Sequence, residues 1–240
     1  MYNLRVADID FRLEYEYPTM LKQAKDYIID ESDKSYKPIF GIILNKDSLV
    51  EFQKENPYLS INDCEYLLTG AAFYEKLIEF KGVLLHSSAV VVDGYAYLFS
   101  AFSGVGKSTH TGLWLDYFGD KAYILNDDKP ALRMTDGRVY AYGTPWSGKT
   151  DLNRNVKVPV AGICFIERSE KNYIRRAETF EAFGKFFEQT VRPDNEEKTD
   201  LFMGTINDIF CNLPIYIMGC NISPEAVETS YNEMRKGIIK

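Results

Sequence analysis

The sequence predicts an α/β protein in which a main domain follows a smaller N-terminal α+β region. From residue 82 to the end, β-branched and aromatic runs typical of strands alternate with helix-like stretches. The first part of the chain carries shorter, mixed elements, and 240 residues suffice for one large domain with a smaller attachment. We therefore expect an N-terminal region at residues 1–80 and a main domain at residues 81–240.

Composition and charge exclude several classes of protein. The chain is 45% hydrophobic and 26% charged, as globular enzymes are, and its net charge of -7 argues against wholesale nucleic-acid binding. The acidic start is neither a signal peptide nor a membrane anchor, and no segment reaches about 18 apolar residues. The four cysteines lack metal-ligand spacing. We expect a cytoplasmic protein with reduced thiols and no membrane or nucleic-acid partner; the sequence leaves a homo-oligomer open.

The N-terminal region combines strand-like and helix-like segments without a catalytic constellation. Its alternating and helical patterns predict strands near residues 4–15 and 39–44 and helices near 18–29 and 63–79. A polar stretch at residues 55–57 predicts a loop.

A tight hairpin opens the main domain. The runs VLLHSSAVVV and YAYLFSA are joined by Asp93-Gly94, the two-residue signal for a hairpin turn. Antiparallel register then places Ala89 opposite Leu98. The same register brings His86 beside the loop that follows the second strand.

The rest of the main domain reads as alternating strands and helices. The patterns predict a helix at 107–118 and strands at 122–125, 131–134, 139–142 and 158–167, the last apolar enough for a central position. Helices near 179–190 and 198–212, a strand at 214–219 and a helix from residue 224 complete the chain.

The phosphate-loop pattern occurs twice, and its context separates the two matches. The first, AFSGVGKS at residues 101–108, follows a strand and opens a helix, so backbone N–H groups and the positive helix end can converge on a phosphate. Lys107 would neutralise phosphate charge, and the Ser108 hydroxyl would bind Mg²⁺. The alternative is a capped turn without a ligand. The predicted nucleotide-binding residues are Ser103, Gly104, Val105, Gly106, Lys107, Ser108 and Thr109.

The second match, GTPWSGKT at residues 143–150, is not expected to hold a nucleotide. Pro145 has no N–H to offer, Trp146 is bulky where close approach is needed, and an extended segment follows instead of a helix. A loop carrying Trp146, Lys149 and Arg154 could still face a substrate or the transferring phosphoryl group. The alternative is an ordinary surface turn with a packed tryptophan.

Paired acids follow the next strand, at Asn126-Asp127-Asp128. Phosphoryl-transfer enzymes commonly place a metal-binding carboxylate in this position, and two adjacent acids can divide metal binding and proton acceptance. A turn with solvated acids is the alternative. His86, near the loop, would orient Asp127 or tune its protonation, or would be a structural strand histidine.

These residues, in this order, resemble the catalytic domain of bacterial HPr kinase/phosphorylase and, more distantly, the nucleotide domain of ATP-dependent phosphoenolpyruvate carboxykinase. The resemblance spans residues 82–167 and rests on HSSAVVVDGYAYLFS, SGVGKST and NDD. It implies a carboxykinase-like P-loop core in which Lys107 and Ser108 bind phosphate and metal. It also implies that Asp127 is the general base, Asp128 a metal ligand, and His86 the partner of Asp127.

The chain also departs from both families. Thr109 stands where HPr kinases commonly have an acid, their glycine-rich stretch after the paired acids is not matched, and carboxykinases are about twice as long. The signatures NDDKPALR and YGTPWSGKT resemble a set of bacterial kinase-like proteins, some relatives of which modify peptides. HPr phosphorylation and carboxykinase activity are therefore not the expected reactions.

The predicted function is an ATP- and Mg²⁺-dependent kinase. It would transfer the γ-phosphoryl group to a hydroxyl of a small metabolite or of a peptide serine, with Lys107 and Arg154 stabilising the developing charge. GTP and pyrophosphate are alternative donors. The rival function is a nucleotide-sensing regulator or binding module without a phosphoryl acceptor.

Overall fold

The computed structural model describes residues 1–30, 32–193 and 195–238. It has a mixed α/β structure. The strands are β1 (Tyr2–Val6), β2 (Ile9–Leu13), β3 (Phe40–Ile42), β4 (Gly82–Leu84), β5 (Ser87–Val92), β6 (Tyr95–Ser100), β7 (Ala122–Asn126), β8 (Ala131–Thr135), β9 (Arg138–Tyr142), β10 (Lys157–Arg168), β11 (Tyr173–Arg176) and β12 (Ile215–Cys220). The helices are α1 (Pro18–Gln23), α2 (Lys46–Glu55), α3 (Ile61–Leu77), α4 (Lys107–Phe118), α5 (Thr179–Glu188), α6 (Glu196–Asn212) and α7 (Pro224–Met234).

The predicted elements of the main domain are confirmed, with small shifts at their ends. The hairpin register is confirmed as well, since Ala89 pairs with Leu98. The run predicted as one strand before Asp93 is divided into β4 and β5, because the chain leaves the ladder at Leu85 and His86. β11, whose residues are mostly exposed, was not predicted.

The N-terminal region differs more from its prediction. Residues 4–15 form the hairpin β1–β2 instead of one strand, because Ala7 and Asp8 adopt positive φ angles of 52° and 59° in the connecting turn. The predicted helix at 18–29 is shorter, with α1 followed by a 3₁₀ turn. Helix α2 was missed: only Leu49 is buried in it, so its apolar periodicity is weak, although Asn45 caps its start.

The strands of the main sheet place several chain ends at one edge. The sheet has the order β7-β5-β6-β10-β12-β11, and β6, β10 and β12 are parallel. Because β5 is antiparallel to both β6 and β7, β7 runs in the same direction as β6. The first half of β10 pairs with β9, which continues through β8 to β4. The loops after β6, β7, β10 and β12 therefore meet where ligands bind in open α/β sheets.

Helices cover both faces of this sheet. Val91 and Leu98 point to one face, where they pack with Phe186 of α5 and with α6. Val90 and Phe99, one position along, point to the other face and pack with α4 and α7. This alternation is the two-residue period of a strand, and both sides of β10 are buried, as the predicted central position requires.

The N-terminal region shares a core with the β4-β8-β9 part of the sheet. Strands β1, β2 and β3 form a separate sheet that packs on α3. Phe73 of α3 lies between Phe11 and Trp146, with ring centroids 5.1 Å and 4.9 Å away. Leu84 and Tyr142 belong to the same cluster. This shared core fixes α1 and α3 beside the strands that follow the paired acids.

The cysteines are free, as expected: Cys64 and Cys164 are buried, whereas Cys211 is exposed and Cys220 is half-buried. Burial raises the pKa of the Cys164 thiol well above its ordinary value. Within the described ranges, no helix combines the length and apolar character that crossing a bilayer requires.

Candidate functional site

The phosphate loop connects β6 to α4 at the shared edge. Gly104 and Gly106 have φ angles of 79° and 132°, and a Cβ on either would meet no atom within 4 Å, so the backbone is open to a ligand. No side chain caps α4, and its first N–H groups have no acceptor within the helix. The helix start is therefore available to an anion, as the sequence predicted.

Lys107 is the buried cation of this loop. Its side chain lies on the first turn of α4 with the residue only 8% exposed, and Nζ donates to the Ala101 carbonyl at 2.9 Å. Burial lowers the pKa of Lys107, while the negative charges of Asp128 and Asp127 act to raise it. The ammonium group and both acids are thus electrostatically coupled in one site.

Arg168 also contacts the loop, a role that sequence reasoning missed. From the end of β10 its Nε donates to the Val105 carbonyl at 3.2 Å and its Nη2 to the Gly104 carbonyl at 2.5 Å. The C=O and N–H of one peptide plane point in opposite directions. The hydrogen bonds from Arg168 to these two carbonyls therefore turn the N–H groups of the next residues away from Arg168. The available signal was its position at the end of the predicted central strand, which shares the edge with the loop.

Asp127 lies beneath the first turns of α4. It is 6% exposed, and its Oδ1 accepts a hydrogen bond from Ser88 Oγ at 2.6 Å. Ser88 Oγ is also 2.8 Å from Oγ1 of Thr111, one turn after Lys107 on α4. Asp127 is therefore held on the side of the phosphate loop.

Asp128 is the partner of His86, which corrects the predicted pairing of His86 with Asp127. Nε2 of His86 lies 3.0 Å from Oδ1 of Asp128, and Lys129 pairs with Oδ2. Burial is the largest influence on the pKa of Asp128 and raises it. The His86 hydrogen bond and the Lys129 charge together outweigh burial and lower this pKa to about 2. Nδ1 of His86 is 3.0 Å from Oε1 of Gln189, so the ring is held at both nitrogens. The pairing changed because consecutive residues point to opposite sides at a strand end.

Asn126 forms the turn that presents these acids. Its Oδ1 accepts hydrogen bonds from the amides of Asp128 and Lys129 at 3.0 Å and 2.7 Å, and its Nδ2 donates to the Thr144 carbonyl at 2.9 Å. The Asx-type turn considered from sequence is present. Here it fixes the directions of two buried or half-buried carboxylates, so the turn and a functional role coexist.

The second pattern match packs directly against Asp128. A Cβ on Gly148 would lie 2.9 Å from that of Asp128, so only glycine fits at this contact. Trp146 is fully buried and donates from Nε1 to Thr69 at 3.2 Å, while Lys149 is exposed. The segment ends in a short 3₁₀ turn at Gly148–Thr150, and no α-helix starts there, which agrees with rejecting this segment as the nucleotide loop.

The structure does not bring Arg154 to the acids. Its guanidinium group stacks on the ring of Tyr123 with 4.4 Å between the guanidinium carbon and the centroid. Tyr123 lies in the first half of β7, whereas the acids follow the other end of that strand. The extended segment after residue 150 pairs with β7 and carries the Arg154 side chain away from the site.

A cavity of about 780 Å³ lies on the α4 side of the phosphate loop. Thr109, His110, Arg168 and Asn221 contribute to its wall. His110 is 3% exposed; its Nε2 accepts from Trp114 Nε1 at 3.2 Å, and its Nδ1 has no hydrogen-bond partner among the described residues. Burial lowers the pKa of His110 to about 4. The ring is therefore neutral near pH 7.

A second cavity, of about 730 Å³, has Asp128 in its wall and shares no lining residue with the first. Asp128 and Lys129 form its inner end, and Gln23 and Tyr66 from the N-terminal region form part of its wall. One cavity therefore borders the phosphate loop, and the other borders Asp128.

The oxygen atoms near Lys107 suit Mg²⁺ together with phosphate oxygens. Mg²⁺ is commonly held by one or two carboxylates, water and substrate phosphates. Ser108, Asp127 and Asp128 offer such oxygens, whereas no group of three or more His, Cys, Asp or Glu side chains within the described ranges forms a complete metal site. The residues therefore fit Mg²⁺ carried by a nucleotide better than a resident ion.

Likeness to known proteins is found among solved structures. No family model matches the chain, and no curated protein matches it. Among solved structures, the HPr(Ser) kinase/phosphatase from Coxiella burnetii matches with a TM-score of 0.41 and 12% sequence identity, over 65% of this chain and 99% of that one.

Proposed function

We propose that this protein is an ATP- and Mg²⁺-dependent kinase that phosphorylates a hydroxyl group. The observation that carries the proposal is the buried Lys107, which is coupled to Asp127 and Asp128 at the strand ends, with one cavity at the phosphate loop and another at Asp128. A donor and an acceptor must approach such a centre from opposite directions for in-line transfer. The division into residues 1–80 and 81–240, a carboxykinase-like P-loop core and a cytoplasmic location belong to the same proposal.

The donor would bind on the α4 side. The amides of Ser103 to Thr109 and the Lys107 ammonium group would hold the phosphates, as in other phosphate loops, and Arg168 would keep the loop in shape. The cavity with His110 in its wall would take the nucleoside. Mg²⁺, when bound by Ser108 and Asp127, would supply positive charge to the phosphate oxygens.

The two acids would divide the work by position, in the reverse of the roles implied by the resemblance. Asp127 is held by Ser88 under α4 and would serve the metal side. Asp128 lines the second cavity and would accept the proton of the acceptor hydroxyl. His86, fixed between Gln189 and Asp128, would orient this carboxylate and share its charge.

The acceptor oxygen forms a bond to the γ-phosphorus while the bond from the γ-phosphorus to the β–γ bridging oxygen breaks, and ADP leaves with that oxygen. The hydroxyl proton passes to Asp128 and then to solvent. Lys107 stabilises the negative charge of the transferring group from within the buried site. Arg154 has no part, because its guanidinium stacks on Tyr123.

The test is incubation with labelled ATP, Mg²⁺ and a panel of hydroxyl metabolites and serine peptides, with products identified by mass spectrometry. We expect Asp128→Asn to lower kcat by about 10²- to 10⁴-fold, the usual contribution of acid–base catalysis, with ATP affinity retained. Asp127→Asn should instead raise the Mg²⁺ concentration needed for half-maximal rate. Asp120→Asn, in the exposed turn before β7, is the matched control.

Three outcomes would decide against parts of this proposal. Full activity of Asp128→Asn would remove its role as proton acceptor. A lost rate in Asp127→Asn with an unchanged Mg²⁺ requirement would restore the opposite division of labour. ATP hydrolysis that no hydroxyl compound or peptide accelerates would favour the nucleotide-sensing module.

A further inference from the structure

The N-terminal region closes the cavity beyond Asp128. Thr19, Lys22 and Gln23 of α1 and Tyr66 and Leu67 of α3 line it together with Asp128. Neither helix lines the cavity that is proposed for the donor. If the kinase proposal holds, on which this inference rests, whatever approaches Asp128 for phosphorylation touches α1 and α3.

Hydrogen bonds fix this wall to the loop that packs on Asp128. Gln23 Nε2 donates to the Gly148 carbonyl at 3.0 Å, and the Gly148 amide donates to Tyr66 OH at 2.8 Å. Lys22 pairs with Asp151 at 2.6 Å across the same boundary. The cavity is thus built jointly by the N-terminal region and the segment after β9.

An apolar cavity of about 320 Å³ adjoins it and shares the walls made by Tyr66, Leu67 and Lys129. Its other walls include Tyr74 and Trp146, and Lys129 is the one charged side chain among the described residues that line it. The Lys129 ammonium group is turned to Asp128, so its alkyl stem is what remains for this cavity. An apolar cavity of about half this volume binds benzene in another protein.

We propose that α1 and α3 select as acceptor a small alcohol with an apolar tail. The hydroxyl group lies at Asp128 in the larger cavity, and the tail passes Tyr66 into the apolar cavity. A purely polar acceptor would leave this apolar surface without a function. The larger cavity is bordered by Lys22 and Lys149 as well as Asp63 and Asp151, so its rim favours neither sign of charge.

Ala71 provides the test, because it is an exposed residue of α3 that lines the apolar cavity. The experiment measures kcat/KM for 1-alkanols from ethanol to octanol with labelled ATP. We expect kcat/KM to rise about fourfold per methylene until the cavity is filled, which corresponds to about 0.8 kcal/mol per buried CH₂. Ala71→Leu should abolish this dependence and leave ATP affinity unchanged. Lys76→Leu adds a leucine to the same helix outside this cavity and is the matched control.

Saturation-transfer NMR of 1-hexanol with the nucleotide-free protein separates failure of this inference from failure of the kinase proposal. Tail signals should appear with the wild type and Lys76→Leu and vanish with Ala71→Leu. Binding without phosphorylation of any alcohol would refute the kinase proposal and keep the cavity assignment. Phosphorylation of alcohols with no chain-length dependence, or equal NMR signals in Ala71→Leu, would overturn the inference.

Discussion

His110 shows how a buried side chain can couple acidity to stability. The folded protein holds its pKa at about 4, below the ordinary value of 6.5, because the ring is surrounded by Phe99, Trp114 and Ser230. The neutral form is favoured in the fold, whereas the unfolded chain takes up a proton below about pH 6.5. The contribution of neutral His110 to the free energy of unfolding is therefore complete above pH 6.5 and is lost as the pH falls towards 4.

We expect His110→Gln to flatten the acid dependence of stability. Between pH 6.5 and 4 the wild type should lose up to about 3 kcal/mol through this one group, and the variant should lose correspondingly less. Urea unfolding at several pH values measures the difference. An unchanged pH slope in His110→Gln would contradict the assignment.

From sequence, the residues of the candidate site could be grouped, but the partner of His86 was predicted wrongly. The hairpin, the phosphate loop and the paired acids follow one another along the chain. The strands that connect them predict that Lys107, His86 and both carboxylates lie near one another. Which acid meets His86 depends on side-chain direction at a strand end, and Ser88 and Arg168 act through tertiary contacts. Local patterns contain no information about those distances.

At the scale of the element, the segment from Gly143 to Thr150 acts as a rigid spacer behind Asp128. Its sequence matches the phosphate-loop pattern, but no α-helix follows it. Trp146 packs in the core shared with the N-terminal region and holds the segment there. Gly148 is its point of closest approach to Asp128 and has a φ of 73°. The rejection of this match could be made from Pro145 and the extended sequence after it, whereas its position beside Asp128 could not.

We expect Gly148→Ala to lower kcat while ATP binding is retained. The added Cβ meets the Asp128 side chain, and the positive φ costs alanine about 1–2 kcal/mol, so the carboxylate or the loop must shift. Turnover and calorimetric ATP affinity measure the two effects. Gly184→Ala in α5, where a Cβ meets nothing within 4 Å, is the control and should be neutral or stabilising. Equal kcat in both variants would contradict a positional role for Gly148.

For the whole molecule, the two parts of the chain share one apolar cluster although the sequence suggests a boundary near residue 80. Leu84, Ala131, Tyr142 and Trp146 of the main part pack with the N-terminal strands and α3. The composition change at Gly82 suggested the boundary. The joint core could not be predicted from the sequence, because it joins residues that are far apart along the chain.

Removal of residues 1–80 should therefore expose an apolar surface and not release an independent kinase. We expect the shortened chain to aggregate or to bind the dye ANS, and to unfold at lower urea concentration than the full chain. Size-exclusion chromatography and ANS fluorescence measure this. A shortened chain that remains monomeric, binds no dye and unfolds at the same urea concentration would show that the shared cluster contributes little.

The antiparallel strand β5 between β6 and β7 has a consequence for how specificity can change over time. Because β5 runs opposite to its neighbours, one continuous stretch of chain from His86 to Asp128 supplies the histidine, the phosphate loop and both acids. The proposed acceptor wall comes from α1 and α3 instead. Under the proposed function, donor chemistry and acceptor choice belong to separate parts of the chain, and a new N-terminal segment that covers the same apolar face would change the acceptor.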